Sequence, residues 1–214
     1  SRKERSRETA HNISVYDDNV KVKVIQNNWY RNKIEILKSY RSALKHSQDR
    51  MIIFSGYFLP GRNERRLLRN ASNRGVDIKI VLSAESDTPV FKRATRFLYD
   101  FILRNNIRIY EYIPSNLHAK VATVDGNWST IGSYNMNHLS DYGSVEMNAD
   151  ILDSQFAKQF EEHLRQIIDK DCRQVTFVEY TQRKTWLFQL SDWLSYQMIR
   201  ILMRLMFLLT AKHK

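Results

Sequence analysis

Residues 118–135 carry the side chains of this chain that are best suited to chemistry. They follow the pattern H-x-K-x4-D-x6-G-S-x-N, whose fixed positions are His118, Lys120, Asp125, Gly132, Ser133 and Asn135. Near neutral pH a histidine can attack as a nucleophile or move a proton, and a lysine can hold anionic oxygens with a compact charge. Serine and asparagine can donate hydrogen bonds to such oxygens. The combination indicates a reaction at an anionic ester such as a phosphodiester.

The spacing also predicts how these side chains are positioned. Residues 118–124 are rich in β-branched side chains and end at an Asp-Gly pair, which predicts a strand followed by a tight turn. Side chains two apart in a strand share a face, so we expect His118 and Lys120 to point the same way. A return strand over residues 128–131 would bring the last three motif residues back towards them. Asp125 lies at the turn, where a structural role is favoured over a chemical one.

Strands and helices alternate through the rest of the central segment. The sequence predicts strands over residues 20–25, 51–57, 76–82, 107–112 and 144–151. It predicts helices over residues 31–46, 63–74, 88–105 and 154–169. This alternation indicates an α/β fold in which helices flank both faces of the sheet. The hairpin formed by the motif strands makes that sheet mixed rather than purely parallel.

The last segment has a different composition. Residues 186–211 are mostly apolar, but Asp192, Arg200 and Arg204 interrupt them, so a membrane-spanning helix is not expected. On a helical wheel these charged residues share one face, and Trp, Leu, Ile and Met dominate the rest. The pattern favours a helix in a membrane interface, and a helix packed on the domain or on a missing half is the alternative.

These patterns predict three parts of the chain. Residues 1–19 are charged and poor in apolar side chains, which is typical of a flexible basic linker. Residues 20–175 are expected to form a catalytic lobe with one motif. Residues 176–214 are expected to form a C-terminal amphipathic helix at a membrane interface.

The charge distribution bears on the partner. The net charge of the chain is +11, and it is unevenly distributed. Residues 51–164 are neutral, with 13 basic and 13 acidic residues. The excess of positive charge lies in residues 1–50, with 12 basic and 6 acidic residues, and in residues 165–214, with 9 basic and 4 acidic residues. A neutral motif segment argues against a nucleic-acid substrate, and basic ends suit an anionic membrane surface. The single cysteine, Cys172, excludes an internal disulfide. No Cys/His cluster indicates a metal, and no cofactor is expected.

The motif is the signature of the phospholipase D superfamily, and the resemblance extends over about residues 20–211. The runs Tyr57-Phe-Leu-Pro60, Asn73 to Ile80, Arg108 to Tyr112, Leu117 to Lys120 and Ile131 to Asn135 resemble the C-terminal half of a bacterial cardiolipin synthase, most closely the B type. The resemblance implies a phospholipase D-like lobe. In the family two such lobes pack around a pseudo-twofold axis, and the active site lies between them.

The family also implies roles for individual residues. Glu146, 28 residues after His118, would accept a hydrogen bond from the second ring nitrogen of that histidine. Lys120, Ser133 and Asn135 would bind phosphate. One histidine of the enzyme forms a phosphohistidine with a phosphatidyl group, and the other protonates the leaving alcohol. His118 could take either role. Phosphatidylglycerol is the usual lipid, and some members accept the headgroup of phosphatidylethanolamine.

This chain departs from the family because it carries one motif. It would therefore need a second motif-bearing lobe, either from a longer parent chain or from a second copy in a homodimer. The charged start and the absence of an initiating Met favour an excised half. The resemblance implies contact with anionic phospholipids on the cytoplasmic side of a bacterial membrane, peripheral or monotopic. The alternatives are a phospholipase D-like nuclease and a lobe that binds lipid without catalysis.

Overall fold

A nine-stranded mixed sheet organises the chain. The computed structural model describes residues 20–182 and 185–211, so the linker predicted over residues 1–19 lies outside the described residues. The strands are β1 (Lys21–Asn28), β2 (Lys33–Ile34), β3 (Arg50–Ser55), β4 (Asp77–Ser83), β5 (Arg108–Tyr112), β6 (Lys120–Val124), β7 (Trp128–Gly132), β8 (Val145–Leu152) and β9 (Cys172–Val175). Their spatial order is β2-β1-β8-β7-β6-β3-β4-β5-β9. Only β3, β4 and β5 run parallel to one another; the other described pairs are antiparallel.

The helices cover both faces of this sheet. They are α1 (Glu35–His46), α2 (Arg62–Asn73), α3 (Pro89–Phe97), α4 (Tyr99–Arg104), α5 (His138–Tyr142), α6 (Ser154–Asp171), α7 (Phe177–Gln182) and α8 (Trp186–Ala211). The predicted α/β fold with a mixed sheet and helices on both faces is confirmed. No helix within the described ranges is both long enough and apolar enough to cross a bilayer.

Alternation along the strands divides the core into two layers. On β3, Met51 and Ile53 join the larger cluster, which packs against α1 to α4 and α8. The intervening Ile52 and Phe54 join a smaller cluster under α6. Successive side chains of a strand point to opposite faces, so a continuous apolar run is what a strand covered on both faces requires.

Two predicted helices differ from those observed. The helix predicted over residues 31–46 begins only at Glu35, because the side-chain oxygen of Asn27 on β1 accepts hydrogen bonds from the amides of Ile36 and Leu37 at 3.0 and 3.4 Å. The helix predicted over residues 88–105 is divided into α3 and α4. A tighter turn interrupts it where the Leu98 amide bonds to the carbonyl of Thr95 at 2.9 Å.

Candidate active site

The motif residues other than Asp125 lie at one edge of the sheet, where the parallel strands end. Strand β6 runs antiparallel to β3, and Lys120 at its start is paired with Ser55 at the end of β3. Strand β7 ends at Gly132 beside β8, so Ser133 leaves the sheet at the same edge. The hairpin predicted from the Asp-Gly turn therefore brings both halves of the motif together.

His118 lies in the loop before β6, and its side chain is exposed. The prediction that the strand begins at this residue is wrong, since β6 begins at Lys120. Two contacts hold the loop away from regular pairing. The Leu117 amide donates to the Ser83 hydroxyl at 2.9 Å, and a Cβ on Gly56 would lie 2.7 Å from the Leu117 carbonyl oxygen. Glycine at position 56 thus lets the histidine loop lie directly against the end of β3.

Lys120 is buried beside the histidine loop, with 7% of its surface exposed. Its Nζ donates a hydrogen bond to the carbonyl oxygen of His118 at 2.7 Å. Burial lowers the pKa of the Lys120 ammonium, and the Glu146 carboxylate opposes that lowering. The positive charge is therefore fixed next to the histidine before any ligand arrives.

Glu146 is held by a cluster of serines. Its Oε1 accepts hydrogen bonds from the hydroxyls of Ser140 and Ser144 at 3.0 and 2.8 Å, and its Oε2 accepts one from Ser133. The hydrogen bond expected from His118 to this carboxylate is absent among the described residues. The physical reason is that the loop directs the ring outward while three hydroxyls already satisfy the carboxylate oxygens.

Asn135 is buried and lies across the edge from Lys120. Its side-chain oxygen accepts from the Tyr57 amide at 3.0 Å and from the Ser55 hydroxyl at 3.4 Å. The side-chain nitrogen donates to no partner in the described part of the chain. The oxygen contacts orient the amide, and an NH₂ group is left available to an incoming anion.

Gly132 and Asp125 have local structural contacts. A Cβ on Gly132 would lie 2.2 Å from the Met147 carbonyl oxygen and 2.3 Å from the side-chain oxygen of Asn148, so β7 could not approach β8 with any larger residue there. Asp125 occupies the turn with a φ of 53°. Its carboxylate accepts from the backbone amides of residues 48, 49 and 50 at 2.9, 2.9 and 2.8 Å.

Sequence reasoning missed the loop that follows the motif. Asn137 caps α5 by accepting from the Ser140 amide at 2.9 Å, and it donates to the Tyr57 carbonyl at 3.0 Å. This cap places Ser140 against Glu146. Asparagine is a preferred N-cap residue, so Asn137 could have located the start of the helix, but nothing in the sequence links Ser140 to Glu146.

A cavity of about 690 Å³ lies away from the motif, between the start of α8 and the β5–β9 edge. None of the motif residues lines it, and its basic side chains are paired: Arg96 with Asp192, Arg173 with Glu111, and Lys92 with Glu85. Within the described ranges, no group of three or more His, Cys, Asp or Glu side chains is arranged to hold a metal ion.

Known structures share this fold. Phosphatidylserine synthase of Haemophilus influenzae superposes with a TM-score of 0.66 at 14% identity, covering 86% of this chain and 46% of that protein. Nuc, a phospholipase D family member from Salmonella typhimurium, superposes with a TM-score of 0.62 at 21% identity, covering 74% of this chain and 99% of that one. At these identities the likeness establishes the fold alone.

Sequence relatives are more specific. Cardiolipin synthase B of Shigella flexneri is 35% identical over 160 residues, which are 75% of this chain and 38% of that protein. The chain thus spans well under half the length of the curated relatives it matches. A family model described as "Cardiolipin synthase, PLD-like domain" matches residues 40–168, more than half of the chain and all of the motif. The chain belongs to the cardiolipin synthase family of phospholipase D-like domains.

Proposed function

We propose that this chain supplies one of the two catalytic motifs of a phosphatidyltransferase that makes cardiolipin from phosphatidylglycerol. The observation that carries the proposal is the meeting of His118, Lys120 and Asn135 at one sheet edge, in a chain 35% identical to a cardiolipin synthase B. In this proposal residues 20–175 form the catalytic lobe and residues 176–214 an appended helical segment. The protein works at the cytoplasmic face of a bacterial membrane, where its lipids reside.

The reaction proceeds through a phosphohistidine. One histidine nitrogen attacks the phosphorus of the donor lipid; the P–N bond forms, the bond to the departing glycerol breaks, and the second histidine gives that oxygen a proton. The second histidine then takes a proton from the hydroxyl of an acceptor phosphatidylglycerol. That oxygen attacks the phosphorus, and the P–N bond breaks. A phosphatidylethanolamine donor would release ethanolamine instead of glycerol. His118 is one member of this histidine pair.

The groups around His118 are suited to stabilise the negative charge on the phosphoryl oxygens during the transfer. The Lys120 ammonium and the free NH₂ of Asn135 would bind the non-bridging oxygens. Ser133, whose hydroxyl donates to Glu146 in this structure, would turn that hydroxyl to the same oxygens when the lipid binds. Glu146 keeps a negative charge near Lys120, and it would accept a hydrogen bond from His118 once the ring turns inward.

The single motif supports the need for a second motif-bearing lobe, carried by a longer parent chain or by a second copy. A face of strands β1, β7 and β8 exposes apolar side chains that we call the sheet patch: Val22, Val24, Ile131, Val145 and Met147. The patch reaches the motif edge, because the Met147 amide donates to the Ser133 hydroxyl at 3.1 Å. A lobe seated there would lie next to His118 and could supply the missing histidine.

A chimera tests this function. Residues 20–211 would replace the matching segment of Shigella flexneri cardiolipin synthase B, and cardiolipin formed from phosphatidylglycerol vesicles would be measured by mass spectrometry. We expect the chimera to make cardiolipin and its His118→Ala variant to lose activity by at least about a thousandfold, because the pair of histidines acts as a unit. His163→Ala, which changes an exposed histidine on α6, is the matched control and should retain activity.

Two results would contradict the proposal. One is a folded chimera in which His118→Ala makes cardiolipin as fast as the parent. The other is a folded chimera, or the chain alone, that cleaves DNA in a His118-dependent manner while leaving phosphatidylglycerol intact. The second result would establish the nuclease alternative.

A further inference from the structure

The long helix α8 is bound to the lobe through a partly polar stripe. Five of its side chains are at most 8% exposed: Asp192, Ser195, Tyr196, Ile199 and Met203. They recur every three or four residues and so lie on one side of the helix. This side packs on α3 and also meets α5, the helix that follows the catalytic motif.

A charge pair fixes the orientation of α8. The Arg96 guanidinium on α3 donates from Nε and Nη2 to the two oxygens of Asp192 at 2.7 and 2.6 Å. The ring of Tyr196 packs on that of Phe97 with centroids 4.7 Å apart. If α8 rotated about its axis, the Arg96–Asp192 bonds would break and a buried carboxylate would lose its partner, which is costly. The side of α8 that faces outward is therefore set by the fold.

That outward side is apolar. Between 43% and 70% of the surface is exposed for Trp186, Leu187, Leu190, Trp193, Leu194, Met198, Ile201, Leu202 and Leu205. This set, the apolar stripe, spans about 30 Å at 1.5 Å per residue. An ordinary surface helix turns its polar side to water. Here the acidic residue faces the protein and the apolar stripe faces outward, and an exposed patch of this size marks an interaction site.

Charge and residue types indicate what covers the stripe. The sequence from residue 183 onward holds six Lys and Arg, at positions 183, 184, 200, 204, 212 and 214, against the single acid Asp192, which Arg96 already neutralises. Two tryptophans lie in the stripe itself. Apolar residues with Trp, accompanied by Lys and Arg, are the pattern of helices that lie in the headgroup region of anionic membranes.

We propose that the apolar stripe of α8 docks flat on an anionic phospholipid bilayer, with the Arg96–Asp192 pair holding the stripe outward. The helix is thus prepared for the membrane before contact, rather than folding upon it. Since α8 also packs on α5, docking brings the motif edge close to the lipid surface. The inference goes beyond the proposed function, because it requires neither His118 nor a second lobe.

Vesicle flotation of the purified full chain tests the docking. The vesicles contain phosphatidylglycerol and phosphatidylcholine, or phosphatidylcholine alone. Leu194→Gln with Leu202→Gln removes two apolar groups from the stripe while keeping good helix formers, and we expect at least about a tenfold loss of affinity for the anionic vesicles. Val22→Gln with Val24→Gln, which changes equally exposed residues of the sheet patch, is the matched control and should bind like the wild type. Wild-type binding should be weaker to phosphatidylcholine alone.

Each remaining outcome either supports or overturns the docking proposal. Circular dichroism establishes that the α8 variant keeps its helix content. A wild-type chain that stays off anionic vesicles, or an α8 variant that binds them unchanged, overturns the proposal. The proposal is also overturned if sedimentation velocity shows a dimeric wild type and a monomeric α8 variant while neither protein binds vesicles. That result would mean that the stripe pairs two copies of the chain. His118→Ala should bind vesicles normally, which separates docking from catalysis.

Discussion

The motif edge is prepared by individual polar contacts around Glu146. Three serine hydroxyls hold the carboxylate, and the same carboxylate favours the charged form of the buried Lys120. Lys120 in turn bonds to the carbonyl of His118. Groups fixed in this way need little rearrangement when an anion binds, which is what electrostatic preorganisation requires. Among the described residues, no hydrogen bond holds the ring of His118, and its side chain is exposed.

A buried acid near the site provides a pH test. Asp141 on α5 accepts a hydrogen bond from the Tyr134 hydroxyl at 2.5 Å. Burial raises the pKa of Asp141 to about 7, and Glu64 raises it further while Tyr134 and Arg41 act in the opposite direction. Its ordinary value is about 3.9, so the folded state keeps the proton at pH values where the unfolded chain has lost it. The resulting stabilisation is complete below about pH 4 and is lost as pH rises through 7.

We therefore predict a pH-dependent stability that Asp141→Asn removes. The asparagine still accepts from Tyr134 but does not titrate. Between pH 5 and 8 the free energy of unfolding of the wild type should fall by roughly 2–3 kcal/mol more than that of the variant. Urea denaturation at each pH measures this difference. Parallel pH profiles for the two proteins would show that Asp141 is ionised in the folded state across this range.

At the scale of elements, local patterns predicted most of the fold. The Asp-Gly turn located the β6–β7 hairpin, and the apolar run over residues 186–211 gave α8 its observed bounds. What failed depends on contacts between distant residues. The start of α1 is set by Asn27, which lies on a neighbouring strand, and β2 and β9 are short edge strands without a pattern of their own. Propensity is local, so it does not detect such caps and pairings.

The same distinction applies to the site. Identity and spacing were enough to predict that His118, Lys120 and Asn135 share one edge. The serines around Glu146 and the role of Gly56 were not predicted, because each contact joins segments that only the folded sheet brings together. The outward direction of the apolar stripe could likewise not be predicted from the sequence, because it depends on the contact of Asp192 with Arg96 in another helix.

Asp125 connects two elements, and its removal should be costly. The carboxylate ties the β6–β7 turn to the segment that leads into β3 through three backbone amides. Asp125→Ala loses these bonds and places alanine at a φ of 53°, so we predict that the free energy of unfolding falls by roughly 2–4 kcal/mol. Asp125→Asn keeps one oxygen and tolerates this backbone, and should lose less than half as much. Urea denaturation provides the measurement, and equal losses in the two variants would exclude the capping role.

At the scale of the whole molecule, the sheet patch and the apolar stripe are both exposed among the described residues, and their positions suit different partners. The sheet patch lies on the same face of the sheet as α6 and reaches the motif edge at Ser133. The apolar stripe of α8 lies beyond the opposite face, where α8 joins the larger core cluster. A lobe that completes the site must reach the motif edge, whereas a membrane contact needs an extended apolar surface with basic neighbours. The two surfaces can therefore be occupied at once, and changes in each should have separable effects.

The chimera with Shigella flexneri cardiolipin synthase B allows that separation to be measured. If the sheet patch packs on the other lobe, calorimetry should show both lobes unfolding in one transition. Val24→Glu with Met147→Glu places two charges in the contact, so we predict two separate transitions and at least about a tenfold loss of cardiolipin synthesis. Leu194→Gln with Leu202→Gln, on α8, should leave the single transition intact and reduce synthesis only when the substrate is presented in vesicles rather than in detergent. Unchanged calorimetry and activity in the sheet-patch variant would mean that the second lobe docks elsewhere.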